Sequence, residues 1–327
     1  MFKRFLLALA FVVLAAPAAV ADTIAMDCNA IYPASNFHTI GAQNFAEKVK
    51  EYTDGSVDIT VHPGGSLGFK GPELLKAVKD GTLPMSDILM GVVSGSDEIF
   101  GLTTMPLLVN SYEQAMQFYQ TAKPYYEKAC ARWNQKLLYA APWPRSGLYT
   151  KKPVEKLADI AGLKIRTYDK NGADFLQRAG ASPQSLPWGE VYTALSTGLI
   201  DSVLTSATSG KDGKFWEVLD YFTKLNYSYP LNMLTINMDY WNALSPEQQE
   251  AMEKAAAEVE DAQWNASKKS VEDSIAALKE NGMTINEMTP ELAASLKKIA
   301  VEMRDEMKED NGPDFKAVLD EFSEDVN

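Results

Sequence analysis

The chain has 327 residues, 46% of them hydrophobic, with 44 acidic against 31 basic side chains and a net charge of −13. No basic face for nucleic acid is visible in such a composition, and an acidic balance favours solubility without specifying a fold. The length is enough for two lobes, each with its own hydrophobic core.

Lys3 and Arg4 precede an apolar run from Phe5 to Ala16 and the small-x-small triplet Ala19-Val20-Ala21. This is the layout of a secretory signal peptide over residues 1–21, with the mature protein expected to begin near Asp22. The apolar run is too short to span a bilayer. A lipid anchor would need a cysteine directly after that run, whereas Cys28 comes late and follows Asp27. In an oxidising periplasm Cys28 and Cys130 could pair, closing a loop of about 100 residues worth about 4 kcal/mol. Two buried thiols that never meet are the equal alternative, because sequence does not show Cα separation.

Residues 24–28 alternate as a strand, and Phe45, Val49 and Tyr52 mark one face of a helix that stops near Gly55. Val57, Ile59 and Val61 give a second strand. Gly64, Gly65 and Gly68 make a loop, and Pro72 suits the first turn of a helix carrying Leu74, Leu75 and Val78. Ser111 and Gln114 read as a capping box ahead of Ala115, Phe118 and Tyr119. Strands are expected at Leu137–Ala141, Leu163–Thr167, Leu199–Leu204 and Leu231–Asn237, with a helix through Val191, Ala194 and Leu195 ending at Gly198. Alternating strands and helices of this kind predict an α/β fold. Near the C-terminus, Ser245, Pro246 and Gln248 combine an N-cap, a first-turn proline and a capping-box partner. Apolar residues then recur from Met252 to Leu278, with one polar interruption at Gln263 and no breaker before Gly282. A helix of that length is roughly 50 Å long and should run along both lobes.

Little points to catalysis. His38 and His62 are the only two histidines, and neither has the spacing of a zinc pair. No G-x-S-x-G elbow, glycine-rich nucleotide loop or C-x-x-C is present. Abundant carboxylates are more economically read as solvated helix faces than as a catalytic pair.

Four stretches carry a resemblance. The first runs from Asn44-Phe45-Ala46-Glu47-Lys48-Val49 through Gly55 to His62-Pro63-Gly64-Gly65-Ser66-Leu67-Gly68; the second is Gly81-Thr82-Leu83 with Met105-Pro106-Leu107-Leu108-Val109. The third is Leu157-Ala158-Asp159-Ile160-Ala161-Gly162-Leu163-Lys164-Ile165-Arg166. The fourth joins Gly180-Ala181-Ser182-Pro183 to Pro187-Trp188-Gly189-Glu190-Val191-Tyr192-Thr193-Ala194-Leu195, Gly198 and Asp201. In this order they resemble the solute-binding proteins of TRAP (tripartite ATP-independent periplasmic) transporters, the dicarboxylate- and sialic-acid-binding type, whose long connecting helix is a further similarity.

The resemblance implies a two-lobe periplasmic binding protein, not an enzyme, that clasps a small organic acid and delivers it to membrane permease subunits. No cofactor is expected and no residue is assigned to a metal, with a metal in the cleft left open by the sequence; a monomer that binds no nucleic acid is expected. Domain I would be residues 22–142 plus 231–270, and domain II residues 143–230 plus 271–327. The arginine of the "Gly-Leu-Lys-Ile-Arg" motif falls on Arg166, whose guanidinium matches a carboxylate bidentately. A second family arginine is carried to Arg145, although an offset of one would turn its side chain away.

The fourth motif departs from the sialic-acid type, reading Asp201-Ser202-Val203-Leu204-Thr205-Ser206, so that Thr205 stands where that type has Asn. Phe69 replaces an acid after the Leu67-Gly68 turn, and Trp188 is the motif's aromatic position. Asn29 aligns with a first-strand contact, with about two residues inserted afterwards around Tyr32–Asn36. Trp143 and Tyr149 are candidate further walls. Phe69 and Trp188 on opposite lobes suggest a carboxylate with an aromatic or apolar body. The alternatives are a small polar carboxylate or sulfonate, a ligand-sensing periplasmic protein and, least supported, a periplasmic enzyme.

Overall fold

The computed structural model describes residues 23–326; the expected signal peptide, residues 1–21, lies outside them. In the first lobe β1 (Ile24–Asn29) leads to α1 (Phe37–Tyr52) and β2 (Val57–His62), which pairs parallel to β1 with Ile24 opposite Val57. α2 (Leu74–Lys79), β3 (Met85–Leu89), α3 (Tyr112–Arg132) and β4 (Gln135–Pro142) complete its first pass. The chain then builds the second lobe from β5 (Ser146–Thr150), β6 (Lys164–Thr167), α4 (Lys170–Arg178), β7 (Ser182–Ser185), α5 (Val191–Thr197), β8 (Ser202–Ser206), α6 (Ala207–Asp212) and β9 (Tyr221–Lys224). It returns with β10 (Leu231–Asn237) and α7 (Met238–Asn242), crosses along α8 (Pro246–Glu280), adds β11 (Thr284–Glu287), and ends in α9 (Pro290–Asp310) and α10 (Pro313–Val326).

Two sheets result, ordered β2-β1-β3-β10-β4 and β11-β9-β5-β8-β6-β7. This is the α/β, two-lobe architecture expected from the sequence. In each sheet a strand from the other end of the lobe inserts antiparallel to its neighbours: β10 between β3 and β4, and β5 between β8 and β9. Both inserted strands are wholly buried. The cleft lies where the polypeptide passes between these sheets.

The N-terminal caps work as their residue types dictate. Ser111 accepts from the Gln114 amide, and Ser245 and Gln248 close the reciprocal box that starts α8. α5 stops at Gly198, whose φ of 74° suits a residue without Cβ. That turn uses residues 199–201, so β8 begins three residues later than the alternation suggests, and Leu199 is exposed. Pro72 lies before α2 rather than in its first turn.

With 35 residues, α8 rises about 52 Å at 1.5 Å per residue. Its first half buries Met252, Ala256 and Val259 in the first-lobe cluster, and its far end buries Leu278 in the second-lobe cluster. The polar interruption has a steric explanation: a Cβ on Gly41 of α1 would sit 2.4 Å from the Gln263 side chain, so the two helices touch there.

Two expectations are corrected or resolved here. Residues 271–327 do not all belong with the second lobe: Phe315, Val318, Leu319 and Phe322 of α10 pack into the first-lobe core, with Phe322 against Phe118 of α3 at 5.0 Å between ring centroids. The apolar face of α10 finds its complement on α3, whereas Leu292, Leu296 and Ala300 of α9 stay with the second lobe. Cys28 and Cys130 are both buried, unbonded thiols in separate hydrophobic clusters. Among the described residues no helix is long and apolar enough to cross a membrane.

Candidate ligand-binding site

A cavity of about 420 Å³ opens between the lobes. Arg166 projects into it from β6, held between Gln184 of β7 and Val203 of β8. Its side chain is only 4% exposed, and its Nε donates to the Leu186 carbonyl at 2.9 Å. Among the described residues no carboxylate lies within salt-bridge distance of it. Burial lowers its pKa to about 10, which still leaves it charged near neutral pH. A buried cation without an acid partner is costly unless an anion compensates it. The open positions of its fork are suited to a carboxylate.

The walls are aromatic. Tyr32 from the first lobe and Trp143 from the crossover after β4 meet edge to face at 4.9 Å, and Trp188 from the second lobe approaches Tyr32 at 6.4 Å. Ser146, Thr205, Ser206 and Ser209 supply hydroxyls. Tyr168, two residues beyond Arg166, shares hydroxyl contacts with Ser146 and Ser228 at 3.1 and 3.4 Å. Asp169 caps α4 by accepting from the Gly172 amide at 3.0 Å. Burial raises its pKa to about 6, opposed by the Thr104 hydroxyl, that amide and Arg166. Across the mouth, Lys70 pairs with Glu190 at 2.6 Å and Asn36 donates to Asp212 at 2.6 Å, joining the lobes.

Of the sequence-predicted residues, Arg166, Trp188 and Thr205 come together at this cavity, and so does Trp143. The others do not. Phe69 packs against the first-lobe core, and Lys70, Gly71 and Pro72 line the cavity instead. The positive φ of Gly68 (85°) and Gly71 (136°) redirects the chain so that Phe69 faces inward. Arg145 is turned away, with Nη1 donating to the Asn110 carbonyl at 3.1 Å and its guanidinium 5.5 Å from the Tyr229 ring; its neighbour Ser146 faces the cleft. That is the one-residue offset which flips a strand side chain. Asn29 lies inside the first sheet, donating to the Ser86 hydroxyl at 3.3 Å. Tyr149 is buried beneath the second sheet, bonded to the Ser206 carbonyl. Lys70, Tyr168 and Asp169 were missed, and Tyr32 was marked only as part of the inserted loop at Tyr32–Asn36. Tyr168 and Asp169 carried a signal in lying two and three residues past the arginine of the motif.

His38 lies beside Trp143 with ring centroids 4.6 Å apart and planes tilted by 49°, and is 2% exposed. Burial lowers its pKa to about 3. An unfolded chain takes up this proton below about pH 6.5 whereas the folded one does not, so His38 removes stability as pH falls from 6.5 towards 3. His38→Gln should therefore gain stability relative to the parent as pH is lowered from 7 to 4. Thermal melts across that range check it, and a difference independent of pH contradicts it.

Among the described residues no group of three or more His, Cys, Asp or Glu is placed to hold a metal ion. Residues 28–310 match the family model of bacterial extracellular solute-binding proteins, family 7. The C4-dicarboxylate-binding periplasmic protein DctP of Rhodobacter capsulatus is 29% identical over 289 residues, 85% of each chain. A marine metagenome TRAP solute-binding protein, solved with co-purified pyroglutamate, superposes with a TM-score of 0.90 at 33% identity, covering 93% of this chain and 99% of that one. DctP6 of Bordetella pertussis, an extracytoplasmic solute receptor binding pyroglutamic acid, gives 0.89 at 31% identity, covering 92% and 99%. Matched over most of its length by model, relatives and fold, the chain belongs to the family 7 bacterial extracellular solute-binding proteins, the periplasmic receptors of TRAP transporters.

Proposed function

We propose that a single chain captures a small cyclic monocarboxylate of the pyroglutamate type, without altering it chemically, and delivers it to a TRAP membrane permease. The observation that carries this reading is Arg166, a buried guanidinium with no acidic partner among the described residues, facing a cavity walled by Tyr32, Trp143 and Trp188. The carboxylate would sit on the guanidinium fork. The ring's methylene carbons would bury against the aromatic faces, and its lactam N–H and carbonyl would meet the hydroxyls that line the cavity. The cavity volume of about 420 Å³ falls at the small end of the usual range for ligand sites. The solved relatives at 31% and 33% identity are both described as binding pyroglutamate, which favours that ring over an extended dicarboxylate. The aromatic pair in this reading is Trp188 with Tyr32 and Trp143, in place of Phe69.

A thermal-shift panel tests it. Pyroglutamate should raise the melting temperature more than succinate, glucuronate or a small alkyl sulfonate at equal concentration. Stabilisation by the dicarboxylate or sulfonate alone rules out the cyclic monocarboxylate while leaving the receptor assignment standing. Product appearing in the ligand after prolonged incubation contradicts the non-enzymatic reading.

A further inference from the structure

Trp143 is held by a buried chain of polar groups that runs away from the cleft. Its Nε1–H donates to Asn232 Oδ1 at 2.7 Å, and Asn232 Nδ2 donates to Asp87 Oδ2 at 2.8 Å. Sheet register explains the alignment. In the antiparallel β3–β10 pair Asn232 lies opposite Leu89 and Asp87 opposite Leu234, so Asn232 and Asp87 are diagonal neighbours on one face. Trp143 follows β4 directly, and its own amide donates to the Pro230 carbonyl at 2.7 Å. Asn232 is 1% exposed and Asp87 4%. The groups that feel Asp87 most are the Cys28 thiol of β1, the Tyr139 phenol of β4 and the Tyr32 phenol, all neutral near pH 7. Among the described residues no cation lies within salt-bridge distance of it.

We propose that Asp87 and Asn232 are positioning residues that fix the Trp143 indole as a wall of the cleft, and that protonation of Asp87 releases this restraint. The logic is donor–acceptor polarity. An ionised carboxylate only accepts, so the amide must present its NH2 to Asp87, which leaves its oxygen for the indole N–H. A protonated Asp87 can donate instead. The amide is then free to reverse, and a reversed amide sets NH2 against the indole N–H, donor to donor. Burial, only partly offset by the Asn232 bond, places the Asp87 pKa at about 7, so the change falls within the range a periplasm meets. The consequence for the ligand rests on Trp143 being a wall of the proposed site, while the polarity argument does not.

The test therefore has one arm without ligand. In the ligand-free protein labelled with 15N, the Trp143 indole N–H resonance, assigned by its loss in Trp143→Phe, should titrate between pH 5 and pH 8. In Asp87→Asn it should not. In the second arm, calorimetry with pyroglutamate should show the pH 5 to pH 8 affinity ratio to be about fivefold smaller in the parent than in Asp87→Asn, the worth of about one neutral hydrogen bond, the titration of Asp169 in the same cavity being common to both proteins. An equal ratio in the two proteins contradicts the link to the ligand. A Trp143 resonance unmoved by pH in the parent protein overturns the proposal, as does one that moves equally in the variant. Failure of pyroglutamate to bind at any pH removes the ligand assignment, and the indole titration still decides the restraint.

Discussion

Arg166→Ala is expected to fold normally and to lose at least about 100-fold in affinity for pyroglutamate, the scale of truncating one partner of a buried, hydrogen-bonded charge pair. The guanidinium is buried, its only hydrogen bond among the described residues runs from Nε to the Leu186 carbonyl, and no acid pairs with it. Its desolvation is only partly offset, by the nearby but unpaired Asp169, until a carboxylate arrives. Removing it should leave the ligand-free melting temperature unchanged or slightly higher, while the ligand-induced rise disappears. Arg166→Lys keeps a charge but loses the planar fork, so its affinity should fall between the two. Calorimetric affinity of the alanine variant within threefold of the parent would sink the anchor.

The second large effect is structural. Gly147 lies in β5, opposite Thr205 of β8, at the centre of the second sheet. A Cβ there would stand 2.5 Å from a ring carbon of Phe222 and 2.6 Å from the Thr223 carbonyl oxygen. The ring could tilt. The carbonyl belongs to β9, which is laddered to β5, and moving it means parting the two strands. Gly147→Ala should cost about 3 kcal/mol, the upper end of ordinary overpacking. That is a fall in melting temperature of about 5 °C for a chain of this size. Gly189→Ala is the control, because its added Cβ meets nothing within 4 Å and its φ is not positive. Equal melting temperatures for the two variants would contradict the packing argument.

How much of this was readable in the sequence differs by element. β1, β2 and β10 announced themselves, and the capping box of α8 placed the start of the longest helix correctly. β3 was silent because all five of its residues are buried, so Met85-Ser86-Asp87-Ile88-Leu89 shows no alternation. β7, β9 and β11 are four residues each; β6 is as short, and it was legible because apolar and polar residues alternate through Leu163-Lys164-Ile165-Arg166-Thr167. In the site, Arg166, Trp188 and Thr205 were found through motif resemblance, and each lies on or beside a regular element of the second lobe. The failures sit where one residue decides the outcome. Ser146 rather than Arg145 and Lys70 rather than Phe69 face the cleft, because a strand end and a pair of glycine turns set which side chain points inward. Tyr32 stands in an irregular loop between β1 and α1, and no local pattern predicts where such a ring will lie.

The central claim is that Arg166 anchors a small organic acid between the lobes, and native mass spectrometry of the protein as purified, beside Arg166→Ala, tests it most directly. The parent should carry, or take up on addition, one equivalent of a small acid such as pyroglutamate, released on unfolding, while the variant carries none. A parent protein that neither retains nor takes up any organic acid, or an acid held equally by Arg166→Ala, would contradict the account.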